Sequence, residues 1–156
     1  MIQISYKEYE IKINNEIIEI MKNYIQVRNL PENGGMLIGS ARADANIIEI
    51  NDITEPQELD KSSRFGFHRS DEHNKILRKK WIESEYKKMY LGEWHTHPQD
   101  TPSPSFLDKR SWKNLLKYSI SDSKILIFII IGFNTIEIWG GDRESKIIER
   151  CGSISL

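Results

Sequence analysis

Two histidines, a serine and an aspartate crowd one stretch of the chain, His95-Thr96-His97-Pro98 followed by a loop and then Ser105-Phe106-Leu107-Asp108. Residues two apart on an extended backbone point to the same side. His95 and His97, at the end of a predicted strand, therefore present their imidazoles together. Each can offer one neutral ring nitrogen to a metal at ~2.0–2.1 Å. Pro98 ends the strand, and the segment from Gln99 to Pro104, with two prolines, must be a loop that turns the chain back. Asp108 then falls in the first turn of the next helix, where its carboxylate can supply a third ligand. Three protein ligands of the His₂Asp type leave one tetrahedral position for water, the pattern of a catalytic rather than a structural zinc. Zinc lowers the pKa of such a water toward ~7.

Hydrolysis by this route also needs a proton shuttle. Glu32 is the best candidate, because it directly precedes Asn33-Gly34-Gly35-Met36-Leu37-Ile38-Gly39, at the mouth of a strand expected beside the histidine strand. A carboxylate there can take the proton of the water and return it to a leaving amine. Ser105 can hydrogen-bond the oxyanion that forms on a scissile carbonyl. Both Ser105 and Asp108 also read as plain helix capping, which needs no metal.

These residues resemble the signature of the JAB/JAMM (MPN+) zinc metallopeptidases: a Glu before the first core strand, then His-Ser/Thr-His-Pro, then Ser-x-x-Asp. Here they are Glu32, His95-Thr96-His97-Pro98 and Ser105-Phe106-Leu107-Asp108, with ten residues between His97 and Asp108. The resemblance implies a cytidine-deaminase-like JAB/MPN fold filling residues 1–156 as a single domain. It also implies one Zn²⁺ per chain on His95, His97 and Asp108, with Glu32 and Ser105 in catalysis. The flanks Gly92-Glu93-Trp94, Pro104 and Trp112 look like a bacterial branch found beside E1- and E2-like proteins in anti-phage CBASS operons. There the peptidase removes a conjugated nucleotidyltransferase (a CD-NTase, the cyclic-oligonucleotide synthase) from its targets. The implied substrate is a conjugated protein with an extended C-terminal tail. Two other readings share the fold: a RadC-like protein of DNA metabolism, and a non-catalytic MPN scaffold. The first would favour a basic stripe that this chain lacks. The second would usually have lost metal ligands, and none is lost here. A zinc deaminase would need Pro-Cys-x-x-Cys, and there is one cysteine.

The elements that must position these residues follow from periodicity and breakers. Tyr9 to Ile13 alternates and predicts a strand. Asn14 or Asn15 caps a helix running to about Val27, with Ile17, Ile18, Met21, Tyr24 and Ile25 on one face. Gly34 to Ser40 and Ile47 to Ile53 read as paired strands, and Glu55 to Arg69 as an irregular insertion. Ser70 caps a second helix to about Tyr86 with Ile76, Leu77, Trp81 and Ile82 inward. Met89 to His95 is a strand, and Ser105 begins a helix to about Tyr118 through a capping box with Asp108. Lys124 to Ile131 and Thr135 to Trp139 form a hairpin, and Lys146 to Arg150 a last edge strand. The fold class is α+β, a mixed central sheet flanked by helices.

Other residues carry open readings. Glu93 can orient an imidazole or serve in a salt bridge. Trp94 and Trp112 read as core packing, and His68 and His73 as solvent-facing. Arg78, Lys79 and Lys80 with Lys75 form the wet face of the second helix. Phe65 and Phe67 either grip a substrate or tuck into the core. The chain has 156 residues, 38% hydrophobic and 29% charged, with a net charge of −1. That suits one globular domain and counts against a nucleic-acid footprint. Cys151 is the single cysteine, which excludes an internal disulfide and suits the cytoplasm. The N-terminus lacks the pattern of a signal peptide. The apolar run Ile125 to Ile131 is too short to span a bilayer as a helix, so no membrane role is expected.

Overall fold

Apolar residues at every second position near the N-terminus build a hairpin rather than one strand. In the computed structural model, which describes residues 1–156, β1 (Ile2–Tyr6) pairs antiparallel with β2 (Tyr9–Ile13). Helix α1 (Asn15–Lys22) follows, and the Asn14 side chain accepts from the Glu16 N–H at 3.0 Å. It stops at Lys22, short of the predicted Val27. Tyr24 and Ile25 still pack on the core, so the helical spacing of apolar residues outlasts the helix. The chain is drawn away instead by buried Gln26, whose side-chain amide donates to the carbonyls of Leu30 and Arg64.

The remaining elements are β3 (Gly34–Arg42), β4 (Ile47–Ile53), β5 (Lys61–Ser63), β6 (Gly66–His68), α2 (Glu72–Glu83), β7 (Met89–Thr96), α3 (Phe106–Tyr118), β8 (Ile125–Ile131), β9 (Thr135–Asp142) and β10 (Ile148–Ser155). Eight strands form one sheet in the order β1-β2-β4-β3-β7-β8-β9-β10, and β5 pairs only with β6. The β2–β4 and β7–β8 pairs are parallel and the others antiparallel. Parallel neighbours need a long crossover, and α3 is the crossover between β7 and β8. The architecture is therefore the expected α+β class with a mixed sheet. The segment from Glu55 to Arg69 is less irregular than expected, since it holds the β5–β6 hairpin. No helix is long and apolar enough to cross a membrane.

Each face of the sheet has its own core. One face packs Ile17, Ile18 and Met21 of α1 against Leu37, Ile50 and Trp94, and the other packs Trp112 and Leu116 of α3 against Phe128 and Trp139. β8 is buried throughout because its alternate residues feed the two cores, Ile127 and Ile129 one way and Leu126 and Phe128 the other. That explains a continuous apolar run in place of alternation. Helix α2 departs from the sequence reading. Asp71 occupies its N-cap with no side-chain capping bond, and Ser70 does not cap it. Trp81 and Ile82 lie outward, 43% and 51% exposed, and the residue α2 buries completely is His73. The helix's apolar residues are too few to override that polar anchor.

Strand β7 carries the histidines, and Gly92 sets its path. Its φ is +141°, and a Cβ there would lie 1.7 Å from the Ile127 carbonyl oxygen. A register shift between Leu37 and Ile38 lies opposite on β3. Only glycine adopts this backbone without strain while lying so close to β8. Gly92→Ala is expected to destabilise the protein by at least about 2 kcal/mol. Urea unfolding of the two proteins checks this, with Gly66→Ala as the control because a Cβ there meets nothing closer than 3.6 Å.

Candidate metal and acid–base site

The end of β7 delivers the two histidines together. His95 is the penultimate residue of the strand, and His97 just past it keeps strand-like pairing through its N–H to the Ile131 carbonyl at 3.0 Å. Their Nε2 atoms face each other at 3.1 Å. Asp108 reaches them from the first turn of α3, with Oδ2 3.4 Å from His95 Nε2 and 3.1 Å from His97 Nε2. The three side chains form a cluster able to hold a metal ion. The geometry fits the tetrahedral expectation, because bonds of ~2.0–2.1 Å place neighbouring ligand atoms roughly 3.3 Å apart. Two imidazole nitrogens and a carboxylate oxygen that converge this closely repel unless positive charge lies among them.

The capping box and the approach of Asp108 to the two histidines occur together. Ser105 Oγ accepts from the Asp108 N–H at 3.1 Å, and Asp108 Oδ2 accepts from the Ser105 N–H at 2.8 Å. The cap therefore aims the carboxylate oxygen that faces both histidines. The Ser105 hydroxyl keeps its own hydrogen to donate, and the side chain is exposed beside the cluster. Burial pushes the Asp108 carboxyl up, but His95 and His97 outweigh it and hold the group well below the usual carboxylate range. Burial pulls His97 down, while Asp108 and Glu32 raise it further, to a net upward shift. On the far side of the ring, His97 Nδ1 lies a long 3.4 Å from Gln99 Oε1, which also accepts from the Ser103 N–H. Such an outer contact selects the tautomer that leaves Nε2 bare for a cation.

Glu32 joins this group, with Oε1 3.3 Å from His97 Nε2. It stands on the loop before β3, and β3 lies beside β7 with Gly34 opposite His95. Thr96 ties that loop down. Its N–H donates to the Asn33 carbonyl, and its Oγ1 accepts from the Asn33 N–H at 3.0 Å. The close register excludes a side chain at Gly34, where a Cβ would lie 2.3 Å from the Trp94 carbonyl oxygen. Burial pushes the Glu32 carboxyl above its ordinary value, against the pull of His95 and His97. The structure thus brings Glu32, His95, His97, Ser105 and Asp108 together.

Glu93 takes the salt-bridge reading. Its Oε1 accepts from Arg69 Nε at 2.6 Å and from the Tyr90 hydroxyl at 2.9 Å, with no bond to an imidazole. Trp94 and Trp112 are core residues, and Trp112 stacks on Phe128 at 4.5 Å with its ring 6.2 Å from His95. Phe65 is 75% exposed, while Phe67 is partly buried with its ring edge-on to His73. The solvent-facing reading of His73 is overturned. The ring is 0% exposed and lies between Thr54 Oγ1 at 2.6 Å and the Asp60 carboxylate at 2.8 Å. Thr54, Asp60, Gln26 and Arg69 were missed because their partners are remote in sequence. A lone histidine among charged residues carries no signal of the fold that covers it.

The chain as a whole is similar to known proteins. Residues 19–140 match the family model described as prokaryotic homologues of the JAB domain. A Pseudomonas aeruginosa protein named CD-NTase/cGAS isopeptidase is 34% identical over 83% of this chain and 83% of its own length. Proteins of the same name from Vibrio cholerae and Escherichia coli are 32% and 33% identical, over 87% and 88% of this chain and 83% and 85% of theirs. A solution structure from Desulfitobacterium hafniense shares the fold, with a TM-score of 0.61 at 19% identity, covering 90% of this chain and 88% of that one.

Asp60 gives the site's surroundings a pH signature. Burial raises its carboxyl, but the N–H groups of Gln57 and Ser70 and the His73 ring outweigh this and leave it below the ordinary range. A folded value below the unfolded one stabilises fully above the unfolded carboxylate pKa of ~3.9, and that stability is lost as pH falls through the folded value. Asp60→Asn should therefore be less stable than the wild type at neutral pH, with the gap closing in acid. Urea unfolding of both proteins at pH 7 and pH 3 measures it. A gap of the same size at both would assign the loss to packing rather than charge.

Proposed function

The chain belongs to the prokaryotic homologues of the JAB domain, and from that premise we propose that it is a zinc-dependent isopeptidase that releases a protein conjugated through its C-terminus. The observation that carries this reading is the convergence of His95 Nε2, His97 Nε2 and Asp108 Oδ2 within 3.4 Å of one another, with the Glu32 carboxylate 3.3 Å from His97. His95, His97 and Asp108 are assigned as the ligands of one Zn²⁺ per chain. Zinc held there supplies Lewis-acid activation of water and polarisation of the scissile carbonyl.

The chain's own groups do the rest. Glu32 takes a proton from the attacking water and passes it to the leaving amine. Its buried, raised carboxyl suits both directions of transfer. Ser105 donates its hydroxyl to the oxyanion, which develops only in the transition state and is where such a donor lowers the barrier. Thr96 and the cap of α3 hold the shuttle and the third ligand still.

The relatives' shared name supplies the substrate class. By that likeness the substrate is a CD-NTase joined to another protein through an extended C-terminal tail, in CBASS anti-phage defence. E1- and E2-like enzymes would form the bond that this one breaks. An extended tail can add main-chain hydrogen bonds along a sheet edge. Phe65, at the exposed tip of the insertion, is the remaining candidate to touch the body of the conjugated protein, since Phe67 is occupied by His73.

Elemental analysis should find one zinc per chain in the wild type and little in His97→Ala. Equal zinc in both would remove the ligand assignment. Glu32→Ala should retain zinc and lose cleavage by about 10²–10⁴-fold; loss of the metal would make Glu32 a ligand instead. The substrate reading is tested with a CD-NTase fused through its C-terminus to a reporter, with products placed by mass spectrometry. A single cut at the junction is expected, and degradation of unstructured peptides without junction cleavage would defeat it.

A further inference from the structure

A buried polar chain lies beneath the insertion, away from the convergent cluster. His73 is 0% exposed and Thr54 1%. The Thr54 Oγ1 accepts from the Met36 N–H at 2.8 Å and lies 2.6 Å from His73 Nδ1. His73 Nε2 lies 2.8 and 2.9 Å from the two Asp60 oxygens. A carboxylate only accepts, so Nε2 carries the hydrogen toward Asp60. In the neutral ring Nδ1 is then bare, and the Thr54 hydroxyl donates to it. The hydrogen bonds from Met36 through Thr54 and His73 to Asp60 all run in one direction. The order Asp, His, Thr imitates a nucleophilic triad, but the Thr54 hydroxyl hydrogen is committed to the ring and its oxygen is sealed from solvent. It has no access to a substrate.

The chain ends at the base of the β5–β6 hairpin. Asp60 Oδ1 also accepts from the Ser70 N–H at 2.7 Å, which joins the two legs of the insertion just outside the hairpin. Two three-residue strands, with residues 61 to 65 exposed, cannot hold a position unaided. Their far end nevertheless supports Glu32. The Ser63 carbonyl accepts from the Glu32 N–H at 2.7 Å. Gln26 adds a second tie by donating to Arg64 of the hairpin and Leu30 of the Glu32 loop.

We infer that His73 is a positioning residue for Glu32: through Asp60 it clamps the base of the hairpin whose Ser63 carbonyl holds the Glu32 main chain. The role of Glu32 as proton shuttle rests on the function proposed above; the clamp itself does not. The insertion then has a task inside the catalytic apparatus, apart from any contact with substrate. A misplacement of about 1 Å at a reacting group costs up to about a hundredfold in rate, so a loose hairpin would be felt in turnover.

Two substitutions separate the clamp from mere filling of space. A glutamine amide reaches about as far as Nε2 and can still bond Asp60. An asparagine amide reaches only as far as Nδ1 and cannot. His73→Asn should speed hydrogen exchange at the Glu32 amide and lower kcat by about ten- to a hundredfold, while His73→Gln retains most of both. In a Glu32→Gln background, His73→Asn should cause little further loss, because the group it positions is already gone. Asp60→Ala, which breaks the clamp from the loop side, gives the same reading should His73→Asn fail to fold. Unchanged exchange at the Glu32 amide in a folded clamp variant overturns the inference, as does an equal fall of kcat in both backgrounds. A wild type that does not cleave the conjugate defeats the isopeptidase reading, and the exchange comparison still decides the clamp.

Discussion

Three electron-pair donors aimed at one another in a nearly dry pocket do not stay together by themselves. His95, His97 and Asp108 are such a set when both Nε2 atoms are bare, and much of the architecture can be understood as holding them against their repulsion. Two come from one strand end, so a single piece of backbone fixes their spacing. The third arrives on a helix whose first turn is locked by its own capping box. The loop between is pinned by the turn after β8, where the Phe133 N–H donates to the Gln99 carbonyl at 2.8 Å and Gly132 leaves room for Pro102. A cation at the centre would convert that repulsion into attraction, which couples metal affinity to the stability of these supports.

Glu32 is held by a different principle. It lies on no regular element, so its loop is tied from both sides, to Thr96 on the histidine strand and to Ser63 on the insertion. The first tie is as rigid as the sheet. The second is as rigid as the hairpin, which depends on a polar chain running back to Thr54 and the β3 backbone. Polar groups buried this deeply are stabilising only when every one is satisfied. Thr54 shows how dense the accounting is: its hydroxyl serves Met36 and His73, and its carbonyl accepts from Trp94 Nε1 at 3.1 Å, one residue before His95.

Charge is distributed unevenly around this frame. Helices α2 and α3 carry eight basic residues, Lys75, Arg78, Lys79 and Lys80 on the first and Lys109, Arg110, Lys113 and Lys117 on the second, although the whole chain is at −1. Part of that charge is internal to the fold, since Lys80 pairs with Asp52 at the end of β4, as does Lys88 just before β7. Arg69 likewise serves Glu93 rather than solvent. The expectation of a simple wet face therefore holds for the exposed Lys75, Arg78 and Lys79 and fails for Lys80, whose ammonium anchors α2 to the sheet.

The sequence by itself determined those parts whose partners lie within a few residues. The His95–His97 pair follows from the period of a strand, the Ser105–Asp108 box from the geometry of one helical turn, and the β8–β9 hairpin from two apolar runs flanking a short turn. The nearness of Glu32 was legible too, because the glycines after it announce a strand with room for a close neighbour. Only the tertiary structure decided where α1 stops, which way α2 faces, and what His73 is for. Each depends on partners far along the chain: Gln26 on Arg64, His73 on Thr54 and Asp60, Glu93 on Arg69. Side-chain hydrogen bonds to remote backbone leave no periodic trace, and a polar residue destined for the interior has the same local pattern as one destined for water until the fold brings its partner to it.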